Sequence, residues 1–433
     1  MTTPFPPPPT PSIDWTNIGF KVRDGMLPSL SPIPLNSSHQ PTNNPSPILL
    51  VNYHVECTYT PQTHTWSTPQ LIKSPHLSIH GLSPALNYGQ QAYEGLKAFR
   101  HATTTTTTND NSSRNDKITI FRPTLNATRL AHSSTILSIP PIPTPTFLSA
   151  VNLAVASNAE YVPPHHTTLT PTSGEKPGVS ALYIRPLVFG SSPQISLTPP
   201  ETFTFAVFVT PTGLYHGISA VDALILEEYD RTAPKGTGSA KAGGNYAPVQ
   251  RHSMAAYKEG YGITLHLDSK TRTEVDEFST SAFIGVKYNS NGDGEGKVTL
   301  VQPDSVNVID SVTAASVLEI GEKMLGYKVE KRSVKYEEIR EFDEVIAAGT
   351  AAGLVPVRSI TMKSKGDKWG FECGGDKGEG GPVCRKLLGL LQGIQTGEVE
   401  DVFGWNWVVR EVEGLMGEGE GVGVGEENAV NVP

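Results

Sequence analysis

The chain has 433 residues, of which 37% are hydrophobic and 18% are charged, enough to bury one large core and more typically two. The balance of 34 basic and 43 acidic residues gives a formal net charge of −9 without a basic cluster, which argues against nucleic acid or an anionic membrane as a partner. No apolar run approaches the roughly 20 residues that span a bilayer, so we expect a globular protein.

Strand patterns predominate in the first half of the chain. β-Branched and aromatic residues predict strands over 118–123 and 204–211, and the spacing of Leu, Ile and Val predicts helices over 128–137 and 145–159. Strand and helix patterns then mix, over residues 261–268, 282–288, 311–325, 341–357 and 383–395. The predicted fold class is α+β, in two domains with a boundary near residues 210–217.

Proline-rich and polar tracts predict loops and tails between these segments. Residues 37–47, 103–116 and 289–297 are interpreted as surface loop expansions, and the Gly- and Glu-rich end as disordered. The predicted organisation is a tail over 1–13, a smaller N-terminal α/β domain over 14–215, a linker over 216–232, a larger C-terminal domain over 233–412, and a disordered tail over 413–433.

The cysteines and the N-terminus bear on the compartment. Cys57, Cys373 and Cys384 have neither CxxC nor Cys/His spacing, so we expect no disulfide framework and no metal site. The start of the chain, "MTTPFPPPPTPS", is proline-rich and has no arginine before Arg23, unlike a secretory signal or a transit peptide. These features predict the cytoplasm, with mitochondrial import left open.

Lys241 lies among small residues in "GTGSAKAGGNYAP", residues 236–248. The loop matches neither the P-loop nor the dinucleotide-binding pattern, and composition alone favours a flexible loop with a solvated lysine. A lysine that forms a Schiff base with a planar aldehyde cofactor needs small neighbours and an amine that loses its charge on desolvation. Tyr246 then offers a phenol for the cofactor's ring oxygen, and Glu277 a carboxylate for its pyridine nitrogen.

Six blocks occur in the order found in branched-chain amino-acid aminotransferases, and the chain resembles that family from about Asp14 to Val409. The blocks are "ALNYGQQAYEGLKAFR", "IFRPTLNATRL", "LYIRPLVFG", "GTGSAKAGGNYAP", "VDEFSTSAF" and "AAGTAAGLVPVRSI". The resemblance implies pyridoxal-phosphate fold type IV: two α+β domains, the cofactor in the cleft between them, and a homodimer whose subunits complete each other's sites.

By this resemblance, Lys241 binds the aldehyde of pyridoxal 5'-phosphate and then moves the proton between the substrate Cα and the cofactor. Tyr246 hydrogen-bonds the cofactor's phenolic oxygen, and Glu277 contacts the pyridine nitrogen. Asp276 and Glu274 lie close enough in sequence to be alternatives to Glu277.

The resemblance places the cofactor phosphate on Arg129, on the turn at Val312 and Thr313, and on Thr350. A guanidinium fork and the amides at the start of a helix are suitable anion ligands. Without the order of the blocks, Arg129 would be interpreted as an exposed helix arginine and Thr350 as an ordinary turn residue.

The resemblance also implies an aromatic substrate pocket with polar groups for carboxylates, in which Arg185 accommodates the distal carboxylate of glutamate or 2-oxoglutarate. The matching positions are Tyr88, Tyr183, Arg185, Tyr215 and Ala351.

Two departures from the family pattern stand out. Ser279 and Ala282 replace residues of the family's E-x-G-x-x-N pattern, which removes an amide near Glu277. In addition, no CxxC follows Thr350, so the thiol switch of some animal relatives is absent.

The predicted activity is transfer of an amino group between a branched-chain L-amino acid and 2-oxoglutarate. Alternatives are a fold type IV transaminase with another amino donor, in secondary metabolism or with a D-amino acid, and a non-catalytic paralogue. Because one methylene changes discrimination by only about 1 to 3 kcal/mol, the pocket residues leave the side-chain preference open.

Overall fold

The computed structural model describes residues 5–11, 13, 15, 53–74, 76–101, 117–165, 179–212, 219–289, 297–375 and 378–412. The described residues up to 212 and from 394 onward form one compact unit, and residues 219–393 form a second. The predicted loops at 37–47 and 103–116 and the predicted tail at 413–433 lie outside the described residues.

Nine strands of the described residues form an antiparallel sheet in the first unit. They are β1 (His54–Thr60), β2 (Thr65–Trp66), β3 (Gln70–Ile72), β4 (Gln91–Tyr93), β5 (Leu96–His101), β6 (Lys117–Phe121), β7 (Ala181–Gly190), β8 (Phe203–Thr212) and β18 (Asn406–Val408). The order is β18-β6-β5-β7-β8-β1-β2, with β3 beside β1 and β4 beside β7.

Helices α2 (Pro123–Ile136) and α3 (Thr144–Ala156) contribute to the core of this unit, and α1 (Pro84–Tyr88) is a single short turn. Pro123 is the first residue of α2, where its fixed φ and missing N–H are tolerated. Leu130 of α2 and Phe147 of α3 are buried in the same hydrophobic cluster as Ile120 and Ile184 of the sheet. The predicted strands and helices of this half are confirmed, although α2 begins at Pro123 rather than at residue 128.

The second unit contains a mixed sheet, again of nine strands among the described residues. They are β9 (Val221–Ile225), β10 (Ile263–Leu267), β11 (Val275–Phe278), β12 (Ala282–Tyr288), β13 (Val298–Pro303), β14 (Lys328–Arg332), β15 (Glu344–Gly349), β16 (Gly353–Met362) and β17 (Asp367–Gly370). The order is β11-β10-β9-β16-β15-β12-β13-β14, with β17 beside β16. Strand β9 runs parallel to β10 and β16, and β13 runs parallel to β14.

The helices of this unit are α4 (Gly243–Tyr246), α5 (Gln250–Lys258), α6 (Val312–Leu325) and most of α7 (Pro382–Thr396). The predicted strand and helix patterns after residue 260 are confirmed by β10, β12, α6, β15, β16 and α7. The start of α7 is fixed by the buried Glu344, whose two carboxylate oxygens each accept a backbone N–H, from Val383 and Cys384, at 2.9 Å. A carboxylate at this end of a helix also opposes the helix dipole favourably.

Two features of the units differ from the predicted domain limits. Strand β9 lies inside the predicted linker, 216–232, and pairs within the second sheet. Strand β18, which falls in the predicted C-terminal domain, pairs with β6 of the first sheet through Asn406↔Phe121. In the described part of the chain, no helix combines the length and the apolar character of a membrane span.

Candidate active site

The loop before Lys241 is fastened to α4 by an amide side chain. Asn245 is buried and donates to the backbone oxygens of Thr237 at 2.7 Å and Ala240 at 3.0 Å. This places Tyr246, the last residue of α4, beside the lysine: Nζ of Lys241 donates to the Tyr246 hydroxyl at 3.2 Å and lies 5.3 Å from its ring centroid. The lysine and the tyrosine predicted from the sequence therefore lie together.

At Gly238 the loop has no room for a side chain. A Cβ built on Gly238 would lie 2.5 Å from the backbone oxygen of Asn307 and 2.6 Å from the Cβ of Thr232. Both distances are shorter than a carbon atom tolerates, so only glycine fits there. The Lys241 loop is thereby packed against Asn307 and against Thr232, the residue that follows Arg231.

Glu277 lies on β11 in a buried ion pair. Its side chain is 8% exposed, and it accepts a hydrogen bond from Nη2 of Arg231, whose own side chain is 2% exposed. The Ile309 N–H also donates to it, at 3.4 Å. Burial raises the pKa of Glu277 to about 7, although Arg231, the Ile309 amide and Lys241 each act to lower it.

The two sequence alternatives to Glu277 have different surroundings. Asp276 is buried and accepts hydrogen bonds from Ser305 Oγ at 2.7 Å and Thr232 Oγ1 at 3.4 Å, both neutral groups. Glu274 is 39% exposed and pairs with Lys335. Of the three carboxylates, the described contacts pair only Glu277 with a buried cation, and its pKa is the one on which the charge of Lys241 acts.

Val312 and Thr313 are the first two residues of α6. The N-cap Ser311 accepts the N–H of Ala314 at 3.2 Å, but the amides of Val312 and Thr313 precede the first intrahelical bond. They stand at the positive end of a 14-residue helix, which favours an anion. The predicted phosphate turn is thus a helix start whose first amides point out of the helix.

Thr350 and Ala351 occupy the tight turn between the antiparallel strands β15 and β16, which pair at Gly349↔Gly353. Gly353 has a φ of 76°, a left-handed conformation that glycine adopts without strain. The turn is partly exposed, with Ala351 the most exposed of its residues.

Arg129 lies in the first unit, in a second buried ion pair. Its Nε and Nη2 donate to the two carboxylate oxygens of Glu94 at 2.6 and 2.7 Å, and the side chains are 8% and 0% exposed. Asn126 donates to the same carboxylate at 2.8 Å. Arg129 is therefore not the exposed helix arginine that composition alone allowed, and two of its donors point at Glu94.

Tyr183 and Arg185 lie on one face of β7, two residues apart, in the first unit. Nη2 of Arg185 donates to the Tyr183 hydroxyl at 2.8 Å, and the guanidinium lies 4.9 Å from the ring of Tyr93 and 5.2 Å from that of Tyr183. Tyr88, at the end of α1, is 47% exposed and donates to the backbone oxygen of Ile195. Tyr215 lies outside the described residues.

The departures from the family pattern also have a structural context. Ser279 is buried and bonds Nε2 of His266 at 2.8 Å as well as the hydroxyl of Thr264. Ala282 is buried on β12 opposite Ala348 of β15. An asparagine amide is absent from this position, and Ser279, two residues after Glu277, instead bonds a histidine and a threonine of β10.

A family model described as amino-transferase class IV matches residues 105–360. The chain is a class IV aminotransferase. It is 47% identical to the aminotransferase poxL of Penicillium oxalicum over 407 residues, 94% of this chain and 96% of the relative. It is 47% identical to the aminotransferase atnJ of Emericella nidulans over 363 residues, 84% of this chain and 96% of that protein.

Solved structures show the same fold. The branched-chain amino acid aminotransferase of Escherichia coli matches with a TM-score of 0.62 and 23% identity, over 83% of this chain and 100% of that one. A second branched-chain enzyme, that of T.th., complexed with N-(5'-phosphopyridoxyl)-L-glutamate, matches with a TM-score of 0.60 and 21% identity, over 84% and 100%. The predictions of family, of fold type IV and of pyridoxal 5'-phosphate as cofactor are confirmed.

The residues of the second unit fit this cofactor. An amine beside a phenol suits its aldehyde and ring oxygen, a buried carboxylate suits its pyridine nitrogen, and the first amides of α6 suit its phosphate. Sequence reasoning missed Arg231, the partner of Glu277. Its signal was a lone arginine in "YDRTAPKGTG", ten positions before Lys241.

Proposed function

We propose that this aminotransferase moves the amino group of a donor other than leucine, isoleucine or valine to a 2-oxo acid. The observation that carries the choice of donor is the contrast between the two sets of relatives. Relatives that are 41% to 47% identical, among them poxL and atnJ, are named only as aminotransferases or transaminases. The two solved branched-chain enzymes described above are 21% and 23% identical, a level that supports the fold alone.

The contacts within the second unit support the roles that we propose for its residues. When bound, the cofactor withdraws electrons from the substrate and makes the hydrogen on its Cα acidic. Lys241 would hold the cofactor at its aldehyde and, as a free amine, would move that proton. Tyr246 orients the lysine through the 3.2 Å hydrogen bond. Glu277 would pair with the pyridine nitrogen, and the amides of Val312 and Thr313 would hold the phosphate with Thr350.

Roles proposed for the first unit rest on the resemblance and on local contacts. Arg129 is assigned to the phosphate, and Arg185 to a substrate carboxylate, because its guanidinium is exposed and steadied by two tyrosines. Tyr88, Tyr183, Tyr215 and Ala351 are assigned to the substrate.

The assembly and the compartment are further proposals. We assign a homodimer on the resemblance. The three buried free cysteines, all within the described residues, fit a reducing compartment such as the cytosol.

The first experiment tests the lysine. Purified protein loaded with pyridoxal 5'-phosphate is reduced with borohydride and digested, and the labelled peptide is identified by mass spectrometry. We expect the label on Lys241 and its loss in Lys241→Ala. The matched control is Lys235→Ala, an exposed lysine of the same loop, which retains the label. An unlabelled wild-type protein would support a non-catalytic paralogue.

The second experiment tests the donor. Transfer to 2-oxoglutarate is measured for a panel of L- and D-amino acids, with product 2-oxo acids quantified. We expect at least one donor outside the branched-chain set to exceed leucine in kcat/KM by about tenfold or more, the range that a difference of a few side-chain atoms supplies. Leucine, isoleucine and valine as the best donors would overturn the proposal in favour of a branched-chain enzyme.

A further inference from the structure

Arg231 is a buried cation to which neither the family pattern used above nor the proposed mechanism gives a role. It lies in the loop that follows β9, in the segment leading to Lys241, and its side chain is 2% exposed. Its Nη2 donates to Oε1 of Glu277, and the same nitrogen lies 3.4 Å from the backbone oxygen of Asn307. A buried guanidinium cannot release its proton, so it supplies a fixed positive charge at the carboxylate.

One short turn holds both members of this pair. Asn307 accepts from Arg231 through its backbone oxygen, and Ile309 donates its N–H to Glu277 at 3.4 Å. The turn is itself fixed by Ser305, whose hydroxyl accepts the Asn307 N–H at 3.2 Å and donates to Asp276 at 2.7 Å. Arg231 and Ile309 both donate to the same oxygen, Oε1, so two groups fix the position of one oxygen of the carboxylate.

The pair is also joined to the lysine loop. Thr232, next to Arg231, packs where a Cβ on Gly238 would stand, and its hydroxyl lies 3.4 Å from Asp276. A displacement of Arg231 would consequently also displace the loop that carries Lys241.

The charges around Glu277 show why a fixed cation matters. Lys241 opposes protonation of Glu277, whereas Asp276 favours it, and burial favours it most. Lys241 is proposed to lose its charge when it reacts, so it is not a constant counter-ion. His266, which is buried nearby, is held neutral by burial and by the charge of Arg231, so it supplies no positive charge.

We propose that Arg231 is a positioning residue that holds Glu277 as an oriented carboxylate throughout the reaction. It does not touch the reacting atoms. The role rests on the proposed function, since it matters for catalysis only if Glu277 faces the pyridine nitrogen of the cofactor. The pairing itself is a property of the chain and can be measured without turnover.

The test measures the protonation of Glu277 directly. Infrared spectra of the full-length protein are recorded against pH, with and without pyridoxal 5'-phosphate, and the Glu277 carboxyl band is identified by its loss in Glu277→Gln. In Arg231→Met we expect the midpoint of protonation to rise by about 1 to 3 pH units, the usual effect of removing an adjacent cation. Arg231→Gln, which keeps a donor for Asn307, provides the same test should the apolar variant not fold.

Two further variants make the result specific. Arg231→Lys retains the charge and is expected to keep the midpoint within about one pH unit of the wild type. Arg272→Met removes an exposed arginine, 36% exposed and paired with Asp230, and is expected to leave the midpoint unchanged.

A folded Arg231→Met or Arg231→Gln protein with the wild-type midpoint would overturn the proposal, as would an equal shift in Arg272→Met. Failure of the proposed function looks different. In that case the wild-type protein neither retains the cofactor nor transfers amino groups. Substitution of Arg231 nevertheless still raises the pH midpoint of Glu277 protonation.

Discussion

Gly238→Ala is the sharpest probe of how the lysine loop is held. The substitution adds one methyl group in a position with no free space. Its carbon would lie 2.5 Å from the backbone oxygen of Asn307 and 2.6 Å from Cβ and Cγ2 of Thr232. Neither neighbour is the flexible end of a long side chain, so the loop itself must move.

The expected cost follows from these contacts. Forcing an extra methyl into a packed site costs about 1 to 3 kcal/mol of stability. With a urea slope of about 3 kcal/mol/M for a protein of this size, the unfolding midpoint falls by about 0.3 to 1 M. Thr232 is next to Arg231 in the chain, and the backbone oxygen of Asn307 accepts from Arg231. Because Arg231 pairs with Glu277, we also expect weaker retention of pyridoxal 5'-phosphate.

The matched control is Gly244→Ala, three residues after the lysine. A Cβ there meets no atom within 4 Å, so stability should change by no more than about 0.5 kcal/mol. Urea unfolding is followed by circular dichroism on both variants, and cofactor affinity by absorbance titration. Equal midpoints and equal affinities in the two variants would refute the close packing of the loop on Thr232 and Asn307.

Two other predictions concern buried ionisable side chains. Glu94→Gln leaves the buried Arg129 without its carboxylate and should destabilise the protein by about 3 to 5 kcal/mol, whereas Asp230→Asn, in an exposed pair, should cost no more than about 1 kcal/mol in the same urea assay. A small effect of Glu94→Gln would show that the pair is not buried as described. Burial lowers the pKa of His101 to about 4 and that of His266 to about 3, whereas a histidine of the unfolded chain has a pKa of about 6.5. At a pH between the folded and the unfolded pKa, the unfolded chain therefore binds more protons than the folded protein. Stability should therefore fall as the pH drops from about 6.5 towards 4, and less steeply in His101→Gln; an unchanged slope in that variant would contradict the assignment.

The sequence by itself determined the features that depend on local pattern. β-Branched runs and helical spacing located β6, β8, α3 and α6, because backbone preference and periodicity act over neighbouring residues. The order of six motifs identified the family and its cofactor, and the motif around Lys241 places Tyr246 five residues later, where its hydroxyl meets the amine.

Only the tertiary structure decided which distant groups meet. The resemblance selected Glu277 and left Glu274 and Asp276 as alternatives, but it could not give their surroundings. In the structure Glu274 pairs with Lys335, Asp276 accepts from hydroxyls and Glu277 pairs with Arg231. The same holds for β18, which pairs with a strand of the first unit although it follows the second. Burial and Coulomb interactions act through space between residues far apart in the chain, and for that reason no local pattern in the sequence records them.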